Sequence, residues 1–422
     1  MTPPAPQGYY AATARPATPC PAIPGDQRAD ACVIGGGYTG LSAALHLAES
    51  GARVILLEAE RIGYAASGRN GGQIHSGYRK SQAELEQWLG KQHARDLWDL
   101  AQEAKATVRG LVERHEIACA LKNGLIIAAH NAQALNALAD ETAHLNAEYG
   151  YGDVRMLDAA EIAAQLSTGV YPGGQLDAGG GHLHALDYAR GLASAAEKAG
   201  ALLFEHSQAL RIEGNKVICA QGTITADRIL LACDAFSASV APQLAPYIAH
   251  VESFIVATAP LGEFLRRRLI PSDAAVADTR HVLDYYRKSA DGRLLFAGRE
   301  SYFSVPKDIA SVVRPRMLRV FPTLQDIPIE YAWSGTVGIT RTRMPHFGRI
   351  GERLLFAHGY SGHGVALATL GGKLLAEAAM GKPERFDVFA KVPAKKFPGG
   401  ALLRKPLVTA ALLWYKFQDR YF

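Results

Sequence analysis

The clearest hydrophobic pattern in the chain lies between residues 29 and 58. A short apolar run at 31–34 reads as a buried strand. It is followed by glycines and then by Leu41, Ala44, Leu45 and Ala48 at helical spacing. Gly51 closes that helix, and 54–57 form a second buried strand ending in Glu58. Downstream, residues 81–115 carry Leu85, Leu89, Leu97, Leu100 and Val108 as the stripe of one long amphipathic helical region, with Trp88 and Trp98 as packing residues. Asn123-Gly124 predicts a turn before a strand at 125–129, and a helix covers 132–148.

The sequence Gly179-Gly180-Gly181-His182-Leu183-His184 leads into a helix at 186–198 ended by Gly200. A strand at 201–205, short alternating segments through 211–226 and a buried strand at 228–233 follow, with Asp234 as a cap for the next short segment. Segments 251–258, 281–287 and 294–297 alternate apolar and polar positions, as one face of an antiparallel sheet does. A strand at 354–357, a tight glycine loop at 359–364 and a helix at 365–380 repeat the strand–glycine–helix order of the first unit. Residues 1–28 read as an irregular leader lying over the first domain. Residues 386–422 form a basic amphipathic tail that docks either on the protein itself or on a membrane surface.

The fold class expected is α/β, α+β overall: a Rossmann-like nucleotide domain built from 1–80, 151–250 and 331–385, and a mostly antiparallel-sheet substrate domain built from 81–150 and 251–330. The length of 422 residues suits two such domains, and 48% hydrophobic with 20% charged residues is the composition of a soluble globular protein. The net charge of +5 is spread along the chain, which argues against a nucleic-acid partner. Five scattered cysteines with no C-x-x-C pair argue against structural zinc, any other metal centre and a disulfide framework. They suit reduced thiols in the cytoplasm, and the first thirty residues hold no apolar stretch of a secretory signal. The apolar run at 407–415 is too short to span a bilayer.

The chemistry gathers at three glycine-bearing stretches. Gly35, Gly37 and Gly40 fill the G-x-G-x-x-G spacing between strand and helix. Gly35 permits the tight turn, Gly37 lets a pyrophosphate approach the backbone beside Tyr38 and Thr39, and Gly40 lets the helix pack on the strand. The helix N-terminus then offers free N–H groups to phosphate, and Glu58 accepts hydrogen bonds from a ribose. The loop Ser67-Gly68-Arg69-Asn70-Gly71-Gly72-Gln73 has the small residues needed to lie flat against a planar group. Gly359-Tyr360-Ser361-Gly362-His363-Gly364-Val365 places a second helix N-terminus far downstream. That suits a flavin, whose ring edge gains negative charge on reduction.

These blocks, together with Gly181-His182-Leu183-His184 and the stretch from Trp333 to Gly348, resemble the D-amino-acid-oxidase-like family of FAD-dependent amine oxidoreductases. The resemblance covers nearly the whole chain from Tyr9. It implies FAD as cofactor, bound non-covalently because Gly71 and Gly72 stand where some relatives carry an attaching His. It implies hydride transfer from the carbon beside a primary amine to flavin N5, giving aldehyde, ammonia and, with molecular oxygen as acceptor, hydrogen peroxide. The small-molecule amine would be gamma-glutamylputrescine or a similar compound. Gln73, His75 and His363 would lie at the reacting face. Tyr285, Tyr286, Arg287 and Arg299, with Arg341 and Arg343, would hold the substrate, since arginine binds a carboxylate through paired hydrogen bonds. Two rival readings stand beside it: a dehydrogenase of sarcosine, glycine or a D-amino acid that feeds a membrane acceptor, and a flavin-binding assembly protein without turnover.

Overall fold

The computed structural model describes residues 8–301 and 304–398, and these form two sheets. The first has eight strands. Its main path runs His346–Ile350, Leu354–His358, Thr223–Leu231, Gln27–Ile34, Val54–Leu57, Leu202–Phe204, with Lys216–Cys219 and Ala209–Glu213 attached beside Thr223–Leu231. Gln27–Ile34 lies parallel to both neighbours, Val33 pairing with Leu230 on one side and Leu56 on the other. A parallel pair needs a crossover, and the helix Tyr38–Glu49 supplies it, burying Leu41 and Leu45 completely against the sheet. Each such leucine contributes about 1.5–3 kcal/mol of burial.

The second sheet has nine strands, in the order Ile329–Thr340, Ile248–Thr258, Leu294–Ser301, Tyr285–Lys288, Ala275–Asp278, Lys122–Ala128, Gly174–His182, Gln73–Ile74, with Val154–Leu157 paired to Gly174–His182. Sheet membership departs from the expected division. Val154–Leu157, Gly174–His182, Gln73–Ile74 and Ile329–Thr340 all belong to the second sheet, although the first three, and the last from residue 331 on, fall in segments assigned to the nucleotide domain. Three consecutive glycines carry no alternation, so the strand Gly174–His182 left no hydrophobic signature. Its glycines serve close packing instead: a Cβ on Gly181 would stand 2.3 Å from the carbonyl of Lys122 on the next strand.

Local chemistry explains the other departures. The long helical region is two helices, Gln82–Leu89 and Lys91–Arg114, because Gly90 sits at φ 87° between them. Ser81 and Glu84 form a reciprocal cap at the start of the first. Asn123-Gly124 lies inside the strand Lys122–Ala128 rather than in a turn; Gly124, at φ +94°, absorbs a register shift against Gly174–His182. The leader is not irregular throughout. It contains a helix, Tyr9–Thr13, whose Tyr9 and Tyr10 are buried, with the Tyr10 ring 5.6 Å from that of Trp333. The tail expected to dock beyond 398 lies outside the described residues. No helix among the described residues is long and apolar enough to cross a membrane.

The helix Gly364–Ala379 crosses Tyr38–Glu49 backbone to backbone. A Cβ on Gly372 would meet the carbonyl of Thr39 at 2.2 Å and the nitrogen of Ala43 at 2.7 Å. Ser42 Oγ donates to the carbonyl of Thr369 at 2.7 Å across the same contact. Gly372→Val should therefore lower stability by about 1–3 kcal/mol through overpacking. A thermal or urea midpoint checks this, and an unchanged midpoint would show that the crossing can relax.

Candidate active site

Two helix N-termini, one connection between the sheets and strands of the second sheet bound one cavity of about 1290 Å3 that includes its open mouth. The first helix supplies Gly37, Tyr38 and Thr39 at its N-terminus. The connection from Glu58 to the second sheet supplies Ser67, Arg69, Asn70, Gly71, Gln73 and His75. The downstream glycine loop supplies Tyr360, Ser361, Gly362, His363, Gly364 and Val365. The strands of the second sheet close the far side with Val251, Ser253, Ile255, Tyr285, Val337 and Ile339.

Hydrogen bonds fasten these stretches together. Ser67 Oγ accepts the N–H of Tyr38 at 3.0 Å, and a Cβ on Gly37 would stand 2.8 Å from that same Oγ. Asn70 Nδ2 donates to the Tyr38 hydroxyl at 3.1 Å, while Asn70 Oδ1 accepts the N–H of Gly72 at 2.7 Å. The hydroxyls of Thr39 and Tyr360 meet at 2.8 Å, joining the two helix starts. Both N-termini thus face one cavity with their partial positive charge, an arrangement suited to an anionic, dinucleotide-sized ligand.

Several expected residues shape the wall from behind. Gly35 has φ +111°, and a Cβ on Gly40 would lie 1.8 Å from the Gly35 carbonyl, so the helix can meet the strand only at glycine. Glu58 accepts the N–H of Gly36 at 2.6 Å and that of Glu60 at 3.0 Å; burial raises its pKa and these bonds oppose the rise. Gly68 and Gly72 pack against Gly63 and Leu183, and Gly359 donates its N–H to Asp234 at 2.7 Å. Asp234 caps no helix. It accepts the N–H groups of Gly338 and Gly359, tying the second glycine loop to the sheet, and it lines the cavity.

The expected substrate residues divide. Tyr285 lines the cavity, its hydroxyl 3.0 Å from Ser253 Oγ. Its neighbour Tyr286 points to the opposite face of the strand, stacked on Phe296 at 5.2 Å and bonded to Tyr171, so it does not reach the site. Arg287 does not reach it either, because its donors are consumed by the carbonyls of Gly71, Leu183 and Lys288 and the hydroxyl of Tyr10. Arg299 lies on the strand opposite Phe254, and its side chain falls outside the described residues. Arg341 is exposed and bonds the carbonyl of Lys396. Gln73 commits its amide nitrogen to the carbonyl of Val276 at 2.8 Å.

Among the cavity residues that were not expected are two charged ones, Arg79 and Glu300. Arg79 follows the glycine loop by a few positions on an irregular stretch, where no helix or strand periodicity singles it out. Glu300 lies on a strand that was expected to end at 297. With Arg343 they form a charged patch in the wall. Burial, then Arg343, brings the Arg79 pKa down to about 10, with Glu300 opposing the change. His75 and His363 stack at 4.2 Å with an interplanar angle of 8°. Burial, then Arg79, brings His75 down to about 4; burial, His75 and Arg79 hold His363 well below its usual value. The pair is neutral at pH 7.

A parallel sheet with a glycine turn and paired helix N-termini, facing a second antiparallel sheet, defines a two-domain nucleotide-dependent enzyme. Residues 30–378 match the FAD dependent oxidoreductase (DAO) family, and the chain belongs to that family. It is 40% identical over 418 residues to a probable oxidoreductase OrdL of Rhizobium meliloti, covering 98% of this chain and 97% of the relative. It is 38% identical over 417 residues to gamma-glutamylputrescine oxidoreductase of Escherichia coli, covering 98% of each. Glycine oxidase from Geobacillus kaustophilus has the same fold, with a TM-score of 0.73 at 23% identity over 84% of this chain and 95% of that one. The protein is therefore an FAD-dependent oxidoreductase. The residues present fit that cofactor: side chains at Gly37 and Gly71 would press on Ser67 and Tyr285, and a Cβ on Gly362 would meet nothing within 4 Å.

Two outcomes follow from this geometry. Glu58→Ala should weaken FAD binding by about 1–3 kcal/mol, the cost of losing a charged acceptor, while the chain still folds. Equilibrium titration of apoprotein checks it, and an unchanged affinity would remove Glu58 from the nucleotide site. The lowered histidine pKa values mean that the unfolded chain takes up protons the folded one refuses. Stability should be intact above about pH 6.5 and fall as the pH drops toward about 4. His75→Gln should flatten that acid-side loss, read as the thermal midpoint against pH; the wild-type slope in the variant would contradict it.

Proposed function

We propose that this oxidoreductase acts on a primary amine at the end of a short alkyl chain whose other end carries a carboxylate, as in gamma-glutamylputrescine. The products would be aldehyde, ammonia and, with molecular oxygen as acceptor, hydrogen peroxide. The observation that carries this reading is the pair Arg79 and Arg343. Both line the cavity, and the side chain of neither makes a hydrogen bond or ion pair among the described residues. They take over the part expected of Arg287. The kinship with gamma-glutamylputrescine oxidoreductase over the full length supports the same choice.

FAD, held without a covalent bond, supplies the two-electron acceptor for the C–H bond beside the amine. The chain does the rest. Val251, Ile255, Val337 and Ile339 form an apolar wall that takes an alkyl chain out of water. Such burial lowers the pKa of an amine, which favours the neutral form that can be oxidised. The neutral imidazoles of His75 and His363 accept a hydrogen bond from the nitrogen, and Gln73 braces the wall through Val276. Arg79 and Arg343 hold the distant carboxylate, and Glu300 beside them suits an ammonium on the same head group. A free diamine would put a second cation next to the two guanidiniums, which repels it.

Peroxide formation with gamma-glutamylputrescine, putrescine, sarcosine, glycine and a D-amino acid at equal concentration tests the reading. Gamma-glutamylputrescine should be preferred and putrescine should be poor. Arg79→Ala should raise KM for the glutamylated amine about 10–100-fold, the worth of a charged hydrogen bond, with little change for putrescine. Preference for sarcosine, glycine or a D-amino acid would overturn the substrate. Flavin reduction without peroxide would assign another acceptor.

A further inference from the structure

Arg287 is 4% exposed and sits one peptide group behind the cavity wall. Its Nε donates to the carbonyl of Gly71, a lining residue, at 2.7 Å. Its Nη1 donates to the carbonyl of Lys288, and its Nη2 to the carbonyl of Leu183 and the hydroxyl of Tyr10, each at 2.9 Å. All four acceptors are neutral. A buried cation solvated only by neutral dipoles is costly, and a structural brace could use a neutral donor instead. Its charge is felt nearby: burial first, and Arg287 second, bring His182 to about 3 and His184 to about 4.

The Gly71–Gly72 turn depends on this guanidinium. Gly72 stands at φ +73°, and a Cβ there would lie 2.1 Å from the Leu183 carbonyl and 3.1 Å from Arg287 Nη2. Asn70 holds the turn from within through the Gly72 N–H, while Leu183 donates its N–H to the carbonyl of Gly72 at 2.9 Å. The remaining carbonyl, that of Gly71, is drawn back from the cavity by Arg287. Without that bond a partial negative charge is free to turn toward the place where negative charge develops on reduction.

We propose that Arg287 is a positioning residue of the flavin site: it holds the Gly71 carbonyl away from the cavity, ties the flavin-facing turn to Leu183, Lys288 and Tyr10, and sets a permanent positive charge behind it. Tyr10 makes the N-terminal helix a part of the same device. A preorganised charge of this kind favours the reduced, anionic state over the oxidised one. The inference is independent of which amine is oxidised.

The test uses FAD-loaded Arg287→Met, Arg287→Lys and Tyr10→Phe proteins, with no amine present. The readouts are the flavin midpoint potential, found by equilibration with a reference dye, the visible circular dichroism of the bound flavin, and the FAD dissociation constant. Arg287→Met should shift the potential to more negative values and change the dichroism. Arg287→Lys should keep the potential but change the dichroism, because one ammonium cannot reach all four acceptors. Tyr10→Phe should weaken FAD binding about 2–10-fold, the loss of one hydrogen bond, with the potential unmoved. A Met variant with wild-type potential and dichroism would overturn the proposal. Should the Met variant fail to fold, the Lys variant decides: changed dichroism at wild-type potential supports the proposal, and wild-type dichroism overturns it.

Discussion

The crossing of two helices, Tyr38–Glu49 and Gly364–Ala379, is the contact on which the rest of the structure depends. It is made backbone to backbone at Gly372, held by the Ser42–Thr369 hydrogen bond, and closed at its upper end by the meeting of the Thr39 and Tyr360 hydroxyls. Because the helices touch so closely, their N-termini open into one cavity. Each brings a glycine turn that would clash if it carried a side chain. The loop from Ser67 to Gln73 is then fastened to the first of them through Tyr38. Every wall of the site inherits its position from that crossing.

The charges of the cavity follow a consistent pattern. Helix N-termini, Arg79 and Arg343 make the interior positive, and Arg287 reinforces it from behind the wall. Two of the acidic groups are engaged by backbone donors, and Glu300 stands beside the arginines. Asp234 accepts backbone N–H groups from Gly338 and Gly359, and Glu58 accepts those of Gly36 and Glu60. The two histidines that face the cavity are kept neutral by burial and by the arginine nearby. A site built this way suits anions: the phosphates of a dinucleotide, the carboxylate of the proposed substrate and the charge that arrives on reduction.

The nucleotide half of the site was legible in the sequence because each part rests on backbone geometry that only particular residues allow. Gly35, Gly37, Gly40 and the 359–364 loop are read from spacing alone. The substrate half was less legible, since it depends on which way a side chain points. Tyr285 and Tyr286 differ only by the alternation of a strand whose register no local pattern sets, and one lines the cavity while the other is core. Arg287 looked like a substrate ligand because an arginine's partners are invisible in sequence; four neutral acceptors from separate segments claim it. Arg79 lies on an irregular stretch with no periodicity. The strand Gly174–His182 escaped notice because glycines pair through their backbone and bury no side chains. Its absence from the expected fold misplaced the border between the sheets.

The central claim is that two helix N-termini and the loop between them grip one flavin. Amide hydrogen exchange of apoprotein with and without FAD tests it directly. Protection should rise together, at one FAD equivalent, in the segments 37–40, 67–73 and 360–365. Protection confined to 37–40, with the other two segments exchanging as in the apoprotein, would contradict it.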